Sequence, residues 1–342
     1  MKNTRSKKLK ICDATVSPGE IANLAMPLPT QYTCAPMYMP IRVIHGKQAG
    51  PCVVIFSTIN GHELNGIEIV NRLVDETNAD EIAGTIIAIP VMNVYSLTHY
   101  PRPLPGGGKL SQCFPGKKNG SYGERLAHIF TQEILHHADV CIELHTGNLN
   151  HNILPQVYYN YDNIETRKLA AVFGAPVITD VTLEGNMLRQ TTEDMGVPLI
   201  VYQAGEAMRF DEAAISCGIS GVQNVMRKLQ IISEPPKPVV KPIFSQEENW
   251  IASHAGGILH TETSLGQVIK KGETLGRISD PFGTGDSERI YSPRDGIIVG
   301  INTTPLVHEG LPMFKVASFI NDKRAESIIE EWNDQQDEDH LS

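Results

Sequence analysis

The stretch Cys52-Val-Val-Ile-Phe-Ser-Thr-Ile-Asn-Gly-His-Glu-Leu-Asn-Gly-Ile-Glu68 changes character twice within seventeen residues. Cys52 to Ser57 is a short continuous apolar run, the mark of a strand covered on both faces. From Leu64 the period changes. Leu64, Ile67, Val70, Leu73 and Val74 recur at three- and four-residue spacing, as on one face of a helix. A polar turn rich in Asn, Gly, His and Glu lies between strand and helix.

The same grammar continues downstream. Thr85–Val91 reads as a second buried strand, and Leu126, Ile129, Phe130, Ile134 and Leu135 mark another amphipathic helix. That helix runs into the strand Asp139-Val-Cys-Ile-Glu-Leu144, which ends in Glu143-Leu-His-Thr-Gly147, and Pro198–Tyr202 is a further strand. Such alternation from about residue 50 to 230 predicts an α/β fold, a mixed sheet sandwiched by helices. Sheets of this kind bind ligands at the carboxyl ends of their strands, where Asn60, His145 and Gln203 fall.

Beyond this region the pattern breaks. Residues 233–244 form a proline-rich linker, with four prolines between Pro235 and Pro242 that cannot continue a helix or a central strand. Short strands with glycine turns follow, so residues 245–320 read as a small C-terminal all-β module. Phrases such as Val268-Ile-Lys-Lys-Gly-Glu-Thr-Leu-Gly276 resemble half-motifs of biotinyl/lipoyl-type barrels, but the loop Asp280–Asp286 holds no lysine to carry a prosthetic group. Residues 1–40 read as an N-terminal extension, 41–232 as the α/β domain and 321–342 as an acidic, solvated tail.

Bulk properties exclude several classes. A net charge of −10 argues against a nucleic-acid partner or an anionic membrane surface. No apolar run approaches the length of a membrane span. Six scattered cysteines without a C-x-x-C pair favour a reducing, cytoplasmic setting over a disulfide framework. The expected partner is a small-molecule ligand or substrate, and the C-terminal module offers a surface for a protein partner.

The motif Asn60-Gly61-His62-Glu63-Leu64-Asn65-Gly66, with Glu143-Leu-His-Thr-Gly147, resembles the succinylglutamate desuccinylase/aspartoacylase family of carboxypeptidase-like zinc hydrolases. The resemblance covers nearly the whole chain from residue 40 onward. It implies one zinc per chain, amide C–N hydrolysis and a site built from three protein ligands, a carboxylate base and an oxyanion-stabilising cation. It aligns Glu63 and His145 with two ligands, while Asn60 stands where relatives carry the first His and His62 is displaced by two. Asn is a poor zinc donor beside imidazole.

The family ends a later strand with Glu-Ala-Gly, whose Glu activates the zinc-bound water. This chain reads Gln203-Ala-Gly-Glu206, and Gln203 cannot take up a proton near neutral pH. Asn93 and Arg102 match the family's pairing of an Asn with a carbonyl-polarising Arg. Ser111 and Gln112 replace the Asn-Arg pair that grips a substrate carboxylate, and glutamine cannot mimic a bidentate arginine. Arg189 is a second retained cation for the pocket. Two readings follow. In one, hydrolysis is lost or altered and the pocket serves ligand or partner binding. In the other, His62 and Glu206 substitute for the missing ligand and base in a working metal-dependent deacylase.

Overall fold

The structure, a computed structural model, describes residues 5–31, 34–160, 162–180, 186–237, 242–283, 285, 287–319 and 327–332. Two short strands, β1 (Leu9–Ile11) and β2 (Ala14–Val16), pair through a tight turn at Cys12 and Asp13. Both turn residues have positive φ, the twist that closes a two-residue hairpin. They lie against β3 (Glu20–Pro27), which pairs antiparallel with β4 (Tyr38–His45). Then come β5 (Gln48–Ser57), α1 (Asn65–Asp75) and β6 (Ala83–Ile89). A short α2 (Val94–Thr98) and the longer α3 (Tyr122–Glu133) lead to β7 (Val140–His145).

The second half of this region adds β8 (His151–Tyr159), α4 (Ile164–Phe173), β9 (Val177–Asp180), α5 (Met187–Asp194), β10 (Leu199–Gly205) and α6 (Glu212–Lys228). Local chemistry starts most of these helices. Ser121 and Glu124 form a reciprocal capping box at α3, while Asn163, Asn186 and Asp211 accept backbone N–H bonds at α4, α5 and α6.

The strands join in the order β10-β7-β5-β6-β4-β3, with β5, β6, β7 and β10 parallel and the β4 edge antiparallel. Each predicted strand and helix of residues 50–230 is present, and the α/β sandwich is as expected. Apolar side chains fill both faces. One core holds Ile55, Ile69, Leu73, Phe173 and Tyr202 beneath α1, α4 and α6. The other holds Val54, Phe56, Leu126, Phe130 and Val201 beneath α3.

The C-terminal strands are β11 (Ile243–Ser245), β12 (Glu247–Ala252), β13 (Gly257–Thr261), β14 (Val268–Ile269), β15 (Thr274–Ser279), β16 (Glu288–Tyr291), β17 (Gly296–Asn302), β18 (Leu306–Val307) and β19 (Pro312–Ser318). Four of them, β13, β15, β16 and β18, make a separate antiparallel sheet. The rest extend the main sheet to thirteen strands. The splice is at β8, whose first half pairs with β17 through His151–Ile153 and whose second half pairs with β9 through Gln156–Tyr159. A buried polar cluster fastens the splice. Glu248 on β12 contacts Lys315 on β19, Thr179 on β9 and the Tyr158 hydroxyl on β8.

Part of the linker, 238–241, and most of the acidic tail, all but 327–332, lie outside the described residues. Residues 327–332 are helical, and Ile328, Ile329 and Trp332 are buried with Leu154, Val177 and Ile297. All six cysteines are free. Among the described residues no helix is long and apolar enough to cross a membrane.

Because β17 covers half of one edge of β8, cutting the chain after residue 233 strips an edge and an apolar cluster from the sheet. The truncated chain is expected to aggregate or to lose cooperative unfolding in a circular-dichroism melt. A soluble, cooperatively melting fragment would show instead that residues 5–233 hold their sheet alone.

Candidate active site

The carboxyl ends of β5, β7 and β10 lie side by side, with Ser57 in register with Leu144 and His145 in register with Gln203. Registered residues on neighbouring strands share a sheet face, so His145 and Gln203 point the same way. After Ser57 the chain turns sharply through Thr58, at φ 57°, into the loop that carries Asn60 and Glu63. Two glycines hold that loop close. A Cβ on Gly61 would lie 2.1 Å from the Ser96 carbonyl carbon, and one on Gly66 would lie 1.9 Å from Ser57 Oγ. Any side chain at either position would push the loop off the sheet.

Glu63 and Glu143 are each 1% exposed, and His145 lies between them. Its Nδ1 is 2.5 Å from Glu63 Oε1, and its Nε2 is 2.6 Å from Glu143 Oε1. Asn60 donates to Glu63 twice, from its backbone N at 3.0 Å and from Nδ2 at 2.9 Å. Arg189, on α5, donates from Nε to Glu143 Oε2 at 3.4 Å. Burial alone would raise the Glu143 carboxyl, but the charges of His145 and Arg189 outweigh it and hold the group down at about 2. Burial likewise opposes the charged form of His145, and Glu63 and Glu143 outweigh it, lifting the ring to about 10.

In front of this network opens a cleft of about 330 Å³, lined among others by Asn60, His62, Tyr100, Lys109, Ser111 and His145. Asn148 and Asn186 complete a mostly neutral, hydrogen-bonding wall. The His62 ring meets Tyr100 edge to face at 5.8 Å, and the His62 carbonyl accepts from the Met208 N–H at 2.9 Å. Burial pushes the His62 imidazole below its usual range, with Glu63 opposing and His145 reinforcing the shift.

The other expected residues stand in different surroundings. Gln203 donates from Nε2 to the Thr146 carbonyl at 2.8 Å. Asn93 is fully buried and clamps loops, donating to the Ile59 and Pro103 carbonyls and capping α2. Arg102 and Gln112 are exposed and are not among the residues that line the cleft. Glu206 accepts from the Asn150 N–H and the Thr303 hydroxyl and pairs with Arg209, tying loops together, and is not among the residues that line the cleft. Sequence reasoning passed over Glu143, although it sits two residues before His145. A lone carboxylate inside an apolar strand is itself a signal, since burying it demands a cation.

The donor set does not fit a zinc ion. A zinc site of this kind needs three protein ligands, and where the resemblance puts the first His this chain has Asn60, a neutral amide and a poor zinc donor beside imidazole. Asn60 turns its NH₂ group, not its carbonyl lone pair, toward Glu63, as a carboxylate neighbour requires. Among the described residues no three His, Cys, Asp or Glu side chains are grouped to hold a metal.

The catalytic-domain model of the succinylglutamate desuccinylase/aspartoacylase family matches residues 49–229, more than half of the chain. An N-alpha-acetyl-L-2,4-diaminobutyric acid deacetylase from Halomonas elongata is 24% identical over 295 residues, covering 82% of this chain and 86% of that protein. Among solved structures, a succinylglutamate desuccinylase/aspartoacylase from Rhodobacter sphaeroides superposes with a TM-score of 0.80 at 21% identity, over 92% of this chain and all of the other. The product-bound ectoine utilization protein EutE (DoeB) of Ruegeria pomeroyi gives 0.79 at 19% identity, over 93% of this chain and 99% of its own.

Replacing Glu143 by Gln leaves His145 and Arg189 without their shared partner. Breaking a buried ion pair on one side costs about 3–5 kcal/mol, to be read as a lower urea midpoint. The exposed Arg102→Gln change is expected to stay within about 0.5 kcal/mol. Equal midpoints for the two variants would mean that Glu143 is not held as described.

Proposed function

Because the chain belongs to the succinylglutamate desuccinylase/aspartoacylase family, we propose that its cleft is the family's small-molecule pocket, kept for ligand binding, with water-activated amide hydrolysis lost or much weakened. The observation that carries this reading is Gln203. It stands in register with His145 and commits its amide to the Thr146 carbonyl. A glutamine in this position cannot accept the proton that a nucleophilic water must give up. General-base assistance is worth about 10²–10⁴-fold in rate, so this one replacement has a large effect.

The ligand class follows from the cleft wall and from the relatives. Amides of Asn60, Asn148 and Asn186, the Ser96 and Ser111 hydroxyls and the Tyr100 ring line the cleft beside Lys109, Glu143 and His145, a lining suited to a small acylated amino acid or amine held by hydrogen bonds. The deacetylase from Halomonas elongata, named for an N-acetylated diamino acid, supports the same class. The alternative, in which His62 serves as a ligand and Glu206 as the base, draws less support. Glu206 already accepts from Asn150 and Thr303, and His62 rests on Tyr100.

The test is an activity assay on N-acetylated amino acids, N-acetyl-2,4-diaminobutyrate included, with zinc supplied. The wild-type chain is expected to be slow, and Asn60→His combined with Gln203→Glu to raise kcat/KM by about 100-fold or more. A wild-type rate that the double variant does not exceed would sink the reading.

A further inference from the structure

Two carboxylates buried beside one another need close to two positive charges to remain ionised. In a zinc hydrolase a divalent ion provides them. Here Glu63 and Glu143 are each 1% exposed, and among the described residues their side-chain oxygens meet the His145 ring, the Arg189 guanidinium and the Asn60 amide. The geometry points to a metal-free site in which the Asn60 amide, His145 and Arg189 occupy the carboxylate oxygens that an ion would otherwise need.

The donor geometry supports this assignment. Both His145 nitrogens are taken up by carboxylate oxygens, at 2.5 and 2.6 Å, and Arg189 donates to the other oxygen of Glu143. Glu63 is also crowded with donors, since Oε1 accepts from Asn60 Nδ2 and His145 Nδ1 and Oε2 accepts from the Asn60 N–H. A metal arriving there would have to displace hydrogens that already satisfy the carboxylate. Asn60 is the decisive residue, because an imidazole in its place would offer a lone pair where the amide offers N–H.

This goes beyond the loss of hydrolysis and is tested without any activity measurement. Tag-free protein purified without chelator is analysed for metal by elemental mass spectrometry, and its melting temperature is followed with EDTA and with zinc chloride. Well below one zinc per chain and a melting temperature indifferent to both reagents are expected. Near one zinc per chain, with a melting temperature that falls on chelation, would overturn the inference. Asn60→His is expected to take up zinc and to melt higher when zinc is present. If that variant folds yet binds no zinc, Asn60 is not what closes the site and the inference fails. Asn60→Asp, nearly isosteric, guards against misfolding of the first variant. Its third negative charge is expected to lower the melting temperature unless zinc is added, and a melting temperature equal to wild type without zinc would count against the inference.

Discussion

A pair of carboxylates held out of water governs this molecule. Glu63 enters from the loop after β5, Glu143 from within β7, and neither reaches solvent. Leaving either uncompensated costs far more than one ordinary hydrogen bond contributes. His145 and Arg189 are therefore constrained by charge as well as by shape, and they come from β7 and α5. One electrostatic condition thus ties together three stretches of chain that are distant in sequence. The close approaches at Gly61 and Gly66 serve the same condition, since they keep Asn60 and Glu63 within reach of His145.

A second buried charge cluster repeats the device at the splice with the C-terminal strands. Lys315 meets Glu248 beneath Tyr158, on the strand next to the one that carries Gln203. The Tyr158 phenol is pushed well above its usual range, by burial first and then by the Glu248 charge, so it stays a neutral donor. Buried polar groups of this kind fix register, which apolar packing alone leaves less sharply defined. The fold is thus held together through polar joints as well as apolar packing, and fold alone does not decide the chemistry.

The sequence revealed the centre of the sheet best. Strands β5, β7 and β10 are covered on both faces, so their residues form unbroken apolar runs that read as strands directly. The two faces of the site were legible for the same reason, because a polar turn straight after such a run must sit at the strand's end. β3, β4 and β8 were harder, since partly exposed strands mix polar and apolar residues without a clean period. Arg189's partner was not legible at all, because a contact between α5 and β7 depends on packing that no local pattern encodes. The same holds for Glu206, whose bonds to Asn150 and Thr303 join loops distant in sequence. Asn93, which the resemblance pairs with a carbonyl-polarising Arg, is buried and clamps loops; an Asn before a short helix is also a capping signal.

The two-way edge of β8 has a further consequence for how the chain is made. While the ribosome is still synthesising the polypeptide, β8 can find β10 and β9 soon after they emerge. Its first half must wait for Gly300–Asn302, nearly half the chain later, before its backbone groups are paired. Contacts that distant in sequence form slowly. Through that interval the nascent chain carries an open strand edge, the kind of surface that chaperones bind and that neighbouring chains on a polysome can capture. The rate at which the residues between β8 and β17 are synthesised therefore bears on this protein's yield.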